Sequence, residues 1–177
     1  MQAFSNFEGS FLIFIQEHLR LPALDAIMKF ITHLGDTGAI WIVFTLLLLC
    51  IPRTRKAGVI CAVAMIANLL LTNIALKNII QRIRPYDVMD SLKILVEAEH
   101  DFSFPSGHTA ASFSCAWAMR RTLSKKIWIP AIILAVLISI SRLYVGVHYP
   151  TDVLAGVIVG SFAAEISFRA LKKRVMK

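Results

Sequence analysis

Five apolar stretches, at about residues 37–51, 57–81, 107–120, 127–147 and 152–170, constrain this chain more than any other feature. Crossing the hydrocarbon core of a bilayer takes about 20 apolar residues of α-helix, and several of these stretches are near that length. With 57% hydrophobic residues and a mean hydropathy of +0.68, the chain lies far outside the soluble average. The expected fold is all-α, a polytopic transmembrane helical bundle of five to six membrane helices. It forms a single domain over residues 1–177, lodged in the cell membrane.

The basic residues order these spans. Arg53, Arg55 and Lys56 follow the first stretch, Arg120, Arg121, Lys125 and Lys126 follow the third, and Arg169, Lys172, Lys173, Arg174 and Lys177 follow the last. By the positive-inside rule all three segments, including the C-terminus, are cytoplasmic. Residues 82–106 and 148–151 then fall on the opposite side. The net charge of +8 is therefore a record of topology, and no nucleic-acid partner is expected. Seven basic residues remain outside this pattern: Arg20, Lys29, Lys77, Arg82, Arg84, Lys93 and Arg142.

Residues 4–34 are apolar on one side and charged on the other, which suits interfacial or partly inserted amphipathic helices, the favoured reading, or, with tilt, one more span. Glu8, Glu17, His18 and Arg20 interrupt the first 20 residues, so this segment reads as retained and not as a cleaved signal. Cys50, Cys61 and Cys115 lie in apolar runs without metal-ligand spacing and read as reduced packing residues.

Three polar clusters fall at the outer ends of the spans. In "KNIIQRIRP", Lys77 and Arg84 stand two helical turns apart, so both charges would share one face of a helix that Pro85 ends. In "PSGH", Ser106 is a good N-cap and Gly107 allows close backbone approach, leaving free amides to attract an anion. In "SRLYVGVHYPTD", Arg142 closes one helix while His148 and Asp152 open the next. Lys77, Arg84 and Arg142 make three cations suited to phosphate oxygens. His148 and His108 can divide nucleophilic attack and proton delivery, with Asp152 one turn along orienting His148.

The motifs Lys-x6-Arg-Pro, Pro-Ser-Gly-His and Ser-Arg-x5-His-x3-Asp, here Lys77–Pro85, Pro105–His108 and Ser141–Asp152, resemble the three signatures of the type 2 phosphatidic acid phosphatase superfamily. The resemblance covers residues 77–152, the expected catalytic region, behind an amphipathic segment at 1–35. It implies a phosphatase that needs no metal or other cofactor and whose site faces the extracytoplasmic side. His148 would become the phosphohistidine, His108 the proton donor and Asp152 the orienting carboxylate. Lys77, Arg84, Ser106, Gly107 and Arg142 would bind the phosphoryl group.

The remaining polar residues carry plainer expectations. Arg82 points away from the Lys77 and Arg84 face and reads as an interfacial anchor or headgroup contact. Glu165 pairs with Arg169. His18, His33 and His100 read as solvent or interface residues, and Asn68, Thr72 and Asn73 as interhelical hydrogen-bond partners. Asp87, Asp90, Glu97, Glu99 and Asp101 make the outer loop acidic, which either balances the basic pocket or tunes which anions enter; no metal site is expected there. The expected substrate is a membrane lipid phosphate or diphosphate. Undecaprenyl diphosphate is favoured because the short chain and "LDAIMKFIT" resemble small bacterial members of that kind. Phosphatidic acid and phosphatidylglycerophosphate are the alternatives, and a non-catalytic protein that binds or moves anionic lipids is the competing class.

Overall fold

A computed structural model describes residues 2–175, with side chains described for 7–173. Lys177 of the basic tail lies outside the described residues. The helices are α1 (Gln2–His18), α2 (Pro22–Leu34), α3 (Ala39–Cys50), α4 (Arg55–Leu69), α5 (Lys77–Ile80), α6 (Pro85–Val88), α7 (Gly107–Thr122), α8 (Lys125–Tyr144) and α9 (Pro150–Val175), with no strand among the described residues. A π-helical segment, Leu70–Leu76, joins α4 to α5. A 3-10 turn, Asp36–Gly38, joins α2 to α3.

Three helical stretches are long and apolar enough to cross a membrane: Arg55–Val88, Lys125–Tyr144 and Pro150–Lys173. Pro22–Leu34 and Asp36–Cys50 make a fourth if taken together, bent by 46°. The second half of the expected N-terminal amphipathic segment thus pairs with α3, as a broken span or a re-entrant loop. The break sits where Thr37 and Gly38 adopt left-handed backbone, φ 53° and 73°.

α7 has only 16 residues, short for a span, but it is surrounded by protein on several sides, packing against α4, α8 and α9. Its buried face is built from small residues, among them Ala110, Ser112, Ser114, Ala116 and Ala118. The Trp41 indole N–H donates to Ser112 Oγ at 2.8 Å, so this polar atom is satisfied inside the bundle. Gly156 and Gly160 on α9 let the two backbones approach. A Cβ at Gly156 would lie 2.9 Å from the Ser106 carbonyl oxygen, and one at Gly160 would overlap the Ala110 carbonyl. This close packing fixes α7, and with it the first turn that carries His108, relative to the start of α9, which carries Asp152.

Lipid-facing positions are apolar and exposed, as at Leu46, Ile66, Ile133, Leu154 and Ile158. Cys61 and Cys115 are free and buried in the core, whereas Cys50 is free and exposed. Glu165 pairs with Arg169 at 2.8 Å, as expected, and also with Arg121 at 2.9 Å.

Two expectations are corrected. The helix through Lys77 stops at Ile80, Gln81 turns left-handed at φ 49°, and Pro85 starts α6 instead of ending the previous helix. Lys77 and Arg84 therefore do not share a face of one helix; Arg84 is the extended N-cap residue of α6. The physical reason is that a proline suits the first helical position, where its missing N–H costs nothing. The second correction concerns Thr72, whose hydroxyl donates to Asn68 Oδ1 at 2.9 Å one turn earlier, an intrahelical bond in place of the expected interhelical one.

Candidate active site

All three polar clusters meet at one end of the bundle. It is formed by the last turns of α5 and α8, the first turns of α7 and α9, the break between α2 and α3, and the loop of residues 89–106. Ser106 is the N-cap of α7, as expected, and its hydroxyl bonds Thr109 within the same helix, accepting from the amide at 3.5 Å and from Oγ1 at 3.1 Å. The Ser106 amide donates to the Asp152 carbonyl at 3.0 Å, tying the starts of α7 and α9 together. Gly107 faces the cations: a Cβ there would lie 3.9 Å from Lys77 Nζ.

His148 occupies the five-residue connection between α8 and α9 and is fully buried. Its Nδ1 lies 3.6 Å from Asp152 Oδ2, beyond a direct hydrogen bond. Ser103 closes the gap: its hydroxyl donates to Asp152 Oδ2 at 2.5 Å and sits 3.4 Å from His148 Nδ1. The Tyr149 amide donates to the same carboxylate oxygen at 2.9 Å. His148 Nε2 lies on the other side of the ring, 3.4 Å from Arg84 Nη1. Burial, reinforced by the Arg84 and Arg142 guanidinium groups, holds the imidazole well below the usual histidine range. The ring is neutral near pH 7, with a lone pair available for attack.

Arg82 is not a headgroup anchor. Its guanidinium donates to Asp152 Oδ1 at 2.7 Å and to Glu8 Oε2 at 2.6 Å, and it stacks over the Tyr149 ring, 3.9 Å from the centroid. The left-handed turn at Gln81 breaks the helical register on which the expectation rested, and so Arg82 turns inward. Glu8, 2% exposed, also accepts from the amide and hydroxyl of Thr151 at 2.9 and 2.6 Å. α1 thereby buttresses the carboxylate behind His148.

The cations are gathered by the acidic loop. Asp101 pairs with Lys77 and with Arg84, and Glu99 pairs with both Arg84 and Arg142. Burial alone would raise Glu99, but Arg142, then Arg84, outweigh it and hold its carboxyl at about 2. Asp101 is likewise lowered, burial being outweighed by Lys77 and Arg84. Of the two roles open to the acidic loop, the geometry favours the first, because its carboxylates neutralise the pocket directly. Arg142 is 1% exposed and donates through Nη1 to Thr32 Oγ1 at 2.6 Å. Its Nε has no hydrogen-bond partner among the described residues.

His108 stands across the site with its Nε2 2.9 Å from Asp36 Oδ1. Between His108 and Lys77 on one side and the apolar side chains of Ile42, Met65, Ile66 and Leu69 on the other lies a cavity of about 560 Å³. One end of this cavity is charged and the other hydrocarbon-like.

The structure therefore brings Lys77, Arg84, Gly107, His108, Arg142, His148 and Asp152 to one place, with Ser106 serving as the cap beneath them. Sequence reasoning missed Glu8, Thr32, Asp36 and Ser103, and gave Glu99 and Asp101 no individual partners. Ser103 lay within reach of a signal, since it precedes the Pro-Ser-Gly-His stretch by two residues. The others belong to distant segments, and no local pattern marks them.

Comparison with known proteins gives the family. The model of the PAP2 superfamily matches residues 57–176. The chain is 35% identical over 148 residues to an undecaprenyl-diphosphatase of Sulfolobus acidocaldarius, covering 84% of this chain and 71% of that one. It is 33% identical over 155 residues to phosphatidylglycerophosphatase B of Bacillus subtilis, covering 80% and 72%. Among solved structures, a transmembrane PAP2-type phosphatidylglycerolphosphate phosphatase from Bacillus subtilis superimposes with a TM-score of 0.80 at 29% identity, over 98% of this chain and 89% of that one. LpxE of Aquifex aeolicus superimposes with a TM-score of 0.79 at 27% identity, over 89% and 92%. With the motifs, the fold and the relatives in agreement, the chain belongs to the PAP2 superfamily and is a membrane-embedded phosphatase.

Proposed function

We propose that the protein removes the terminal phosphate of a polyprenyl diphosphate, undecaprenyl diphosphate being the favoured substrate, at the extracytoplasmic face of the cell membrane. The observation that carries this reading is the neutral, buried His148. Its Nδ1 faces the Ser103 and Asp152 pair, and its Nε2 is turned toward Arg84 among the three cations.

In the first step His148 Nε2 forms a bond to phosphorus as the bond to the leaving oxygen breaks, and His108 gives that oxygen a proton where it needs one. Asp152, with Ser103, retains the Nδ1 proton and stabilises the charge that the ring acquires. Lys77, Arg84 and Arg142 hold the phosphoryl oxygens once the substrate has displaced Glu99 and Asp101, with Gly107 giving the backbone room to approach and Ser106 fixing the helix start. In the second step water bonds to phosphorus as the phosphorus–Nε2 bond breaks, and phosphate departs with the protons of that water, leaving the His148 ring neutral. None of these steps calls for a metal.

The half-polar, half-apolar cavity suits an amphiphile whose phosphate rests at headgroup depth while its chain reaches the lipid. The relatives' names support the substrate class, one acting on undecaprenyl diphosphate and another on a glycerolipid phosphate. The site lies opposite the basic ends of the helices, which supports an extracytoplasmic active site and a cytoplasmic C-terminus. The whole chain forms one domain, in which residues 77–152 supply the chemistry and the N-terminal segment braces it.

The test is phosphate release by purified protein in detergent with EDTA present, comparing undecaprenyl diphosphate, phosphatidic acid and phosphatidylglycerophosphate against His148→Ala. Preference for the polyprenyl diphosphate supports the proposal, and preference for a glycerolipid redirects it to phospholipid metabolism. Turnover by His148→Ala above a trace overturns the phosphohistidine, and no release from any substrate favours a lipid-binding role.

A further inference from the structure

His148 has a carboxylate behind it, and so does His108. His108 Nε2 and Asp36 Oδ1 are 2.9 Å apart, and Asp36 Oδ2 is held in turn by His33 Nδ1 at 2.8 Å. His33 is thus more than a solvent residue, although its side chain is 60% exposed. His108 packs directly against Gly35, where a Cβ would stand 2.8 Å from its Cδ2 and could not fit without a shift. The left-handed pair Thr37 and Gly38 turns the chain directly after Asp36 and points the carboxylate back at α7. His33, Gly35, Asp36, Thr37 and Gly38 all lie in the N-terminal arm, outside residues 57–176, which the family model matches.

With Nε2 engaged by Asp36, Nδ1 is the nitrogen left to serve the leaving oxygen. A carboxylate at Nε2 fixes which nitrogen carries the deliverable proton and stabilises the imidazolium that must exist before delivery. We infer that Asp36 is the positioning residue of His108, and that this pair lets the site expel an alkoxide from a phosphomonoester. A diphosphate depends on it far less. An alkoxide leaving group has a basicity near that of hydroxide, whose conjugate acid has a pKa of about 15.7. A departing phosphate has a conjugate-acid pKa of about 6 and needs little help from a proton donor. Asp36 thereby governs the range of lipid phosphates accepted at the proposed site, an inference that rests on His108 being the proton donor.

The test uses the full chain in detergent and two substrates with the same tail, dodecyl phosphate and dodecyl diphosphate. kcat is measured for the unaltered protein, Asp36→Asn and His108→Ala. Asp36→Asn should lower kcat on the monophosphate about tenfold to a hundredfold more than on the diphosphate, within the roughly 10²–10⁴-fold that a positioned proton donor supplies. His108→Ala should show the same selectivity and a larger loss. Thermal unfolding in detergent reports that each variant is folded. If His108→Ala is selective and Asp36→Asn lowers both rates equally, Asp36 is merely structural and the inference alone falls. If His108→Ala lowers both rates equally, the assignment of His108 falls and the inference with it.

Discussion

Arg82 Nη1 donates to Asp152 Oδ1 at 2.7 Å, and the same guanidinium holds Glu8 at 2.6 Å, so one cation serves two carboxylates that are 0% and 2% exposed. Removing one partner from a buried ion pair costs about 3–5 kcal/mol, because the remaining charge stays out of water. Arg82→Ala should lose about that much stability and also lose kcat, since Asp152 drifts from the His148 ring. Adding Glu8→Gln to Arg82→Ala removes one stranded charge and should recover part of the stability but little of the rate. Thermal unfolding in detergent and phosphate release measure the two effects separately. Equal stability of the single and double variants would show that Glu8 carries no uncompensated charge.

Glu99 bridges Arg84 and Arg142 and is held at about 2, so it is ionised throughout the neutral range. Protonation cannot clear it from the cations; an incoming anion has to displace it. Glu99→Gln keeps the shape and removes the competing charge. Orthovanadate, which mimics five-coordinate phosphorus, should inhibit this variant about tenfold more tightly, equivalent to roughly 1.4 kcal/mol. An unchanged inhibition constant would mean that Glu99 does not compete for the phosphoryl position.

The pH dependence follows from two groups outside the spans. His148 is lowered in the folded protein, whereas an unfolded histidine titrates near 6.5. Below about pH 6.5 the unfolded chain therefore binds a proton that the folded one refuses, and stability falls as pH falls. Glu99 acts in the same direction in a lower window. Its carboxylate contributes stability above the unfolded value of 4.5, and that contribution is lost as pH falls toward about 2. Stability should accordingly be flat from pH 7 to 8, decline below 6.5 and decline again below 4.5. His148→Ala should weaken the first decline and spare the second, as read by thermal unfolding across pH. Because the nucleophile stays neutral below pH 6.5, kcat/KM for the unaltered protein should not fall with a pKa of 6.5 assignable to His148.

The sequence reveals the membrane class and most of the residues that gather at the proposed site, for reasons that can be named. Apolar runs record the solvent around a helix, and Lys77, Arg84, Arg142, His108, His148 and Asp152 are costly near a membrane unless they are used. Local caps are legible too: Ser106 and Pro150 begin helices where their chemistry suggests. What stays hidden is the partner of each charge. Asp36 reaches His108 across 72 residues and Glu8 reaches Arg82 across 74, distances over which no helical spacing operates. The left-handed Gln81 hides a further part, because a single turn of that kind rotates Arg82 from the expected lipid side to the carboxylate of Asp152. Ser103 is hidden by size, since a small hydroxyl in a loop gives no sign that it links His148 and Asp152.

The cavity between α3 and α4 makes a prediction about the tail in place of the phosphate. Its charged end carries Lys77 and His108, while Ile42, Met65, Ile66 and Leu69 line the other end, and Ile66 is 58% exposed on the lipid-facing side. A chain lying in this groove buries apolar surface at about 25 cal/mol per Å², so blocking the groove should weaken binding without touching the phosphoryl group. Ile66→Trp should raise KM for a long-chain lipid phosphate about tenfold and leave kcat nearly unchanged, the mark of uniform binding lost from ground and transition states alike. The same substitution should affect a short substrate such as hexyl phosphate less, because a shorter chain has less apolar surface to bury in the groove. Equal effects on both substrates would move the tail out of this groove. A loss of kcat on hexyl phosphate would show that position 66 couples to Lys77 through the π-helical segment, the only stretch of chain that separates α4 from α5.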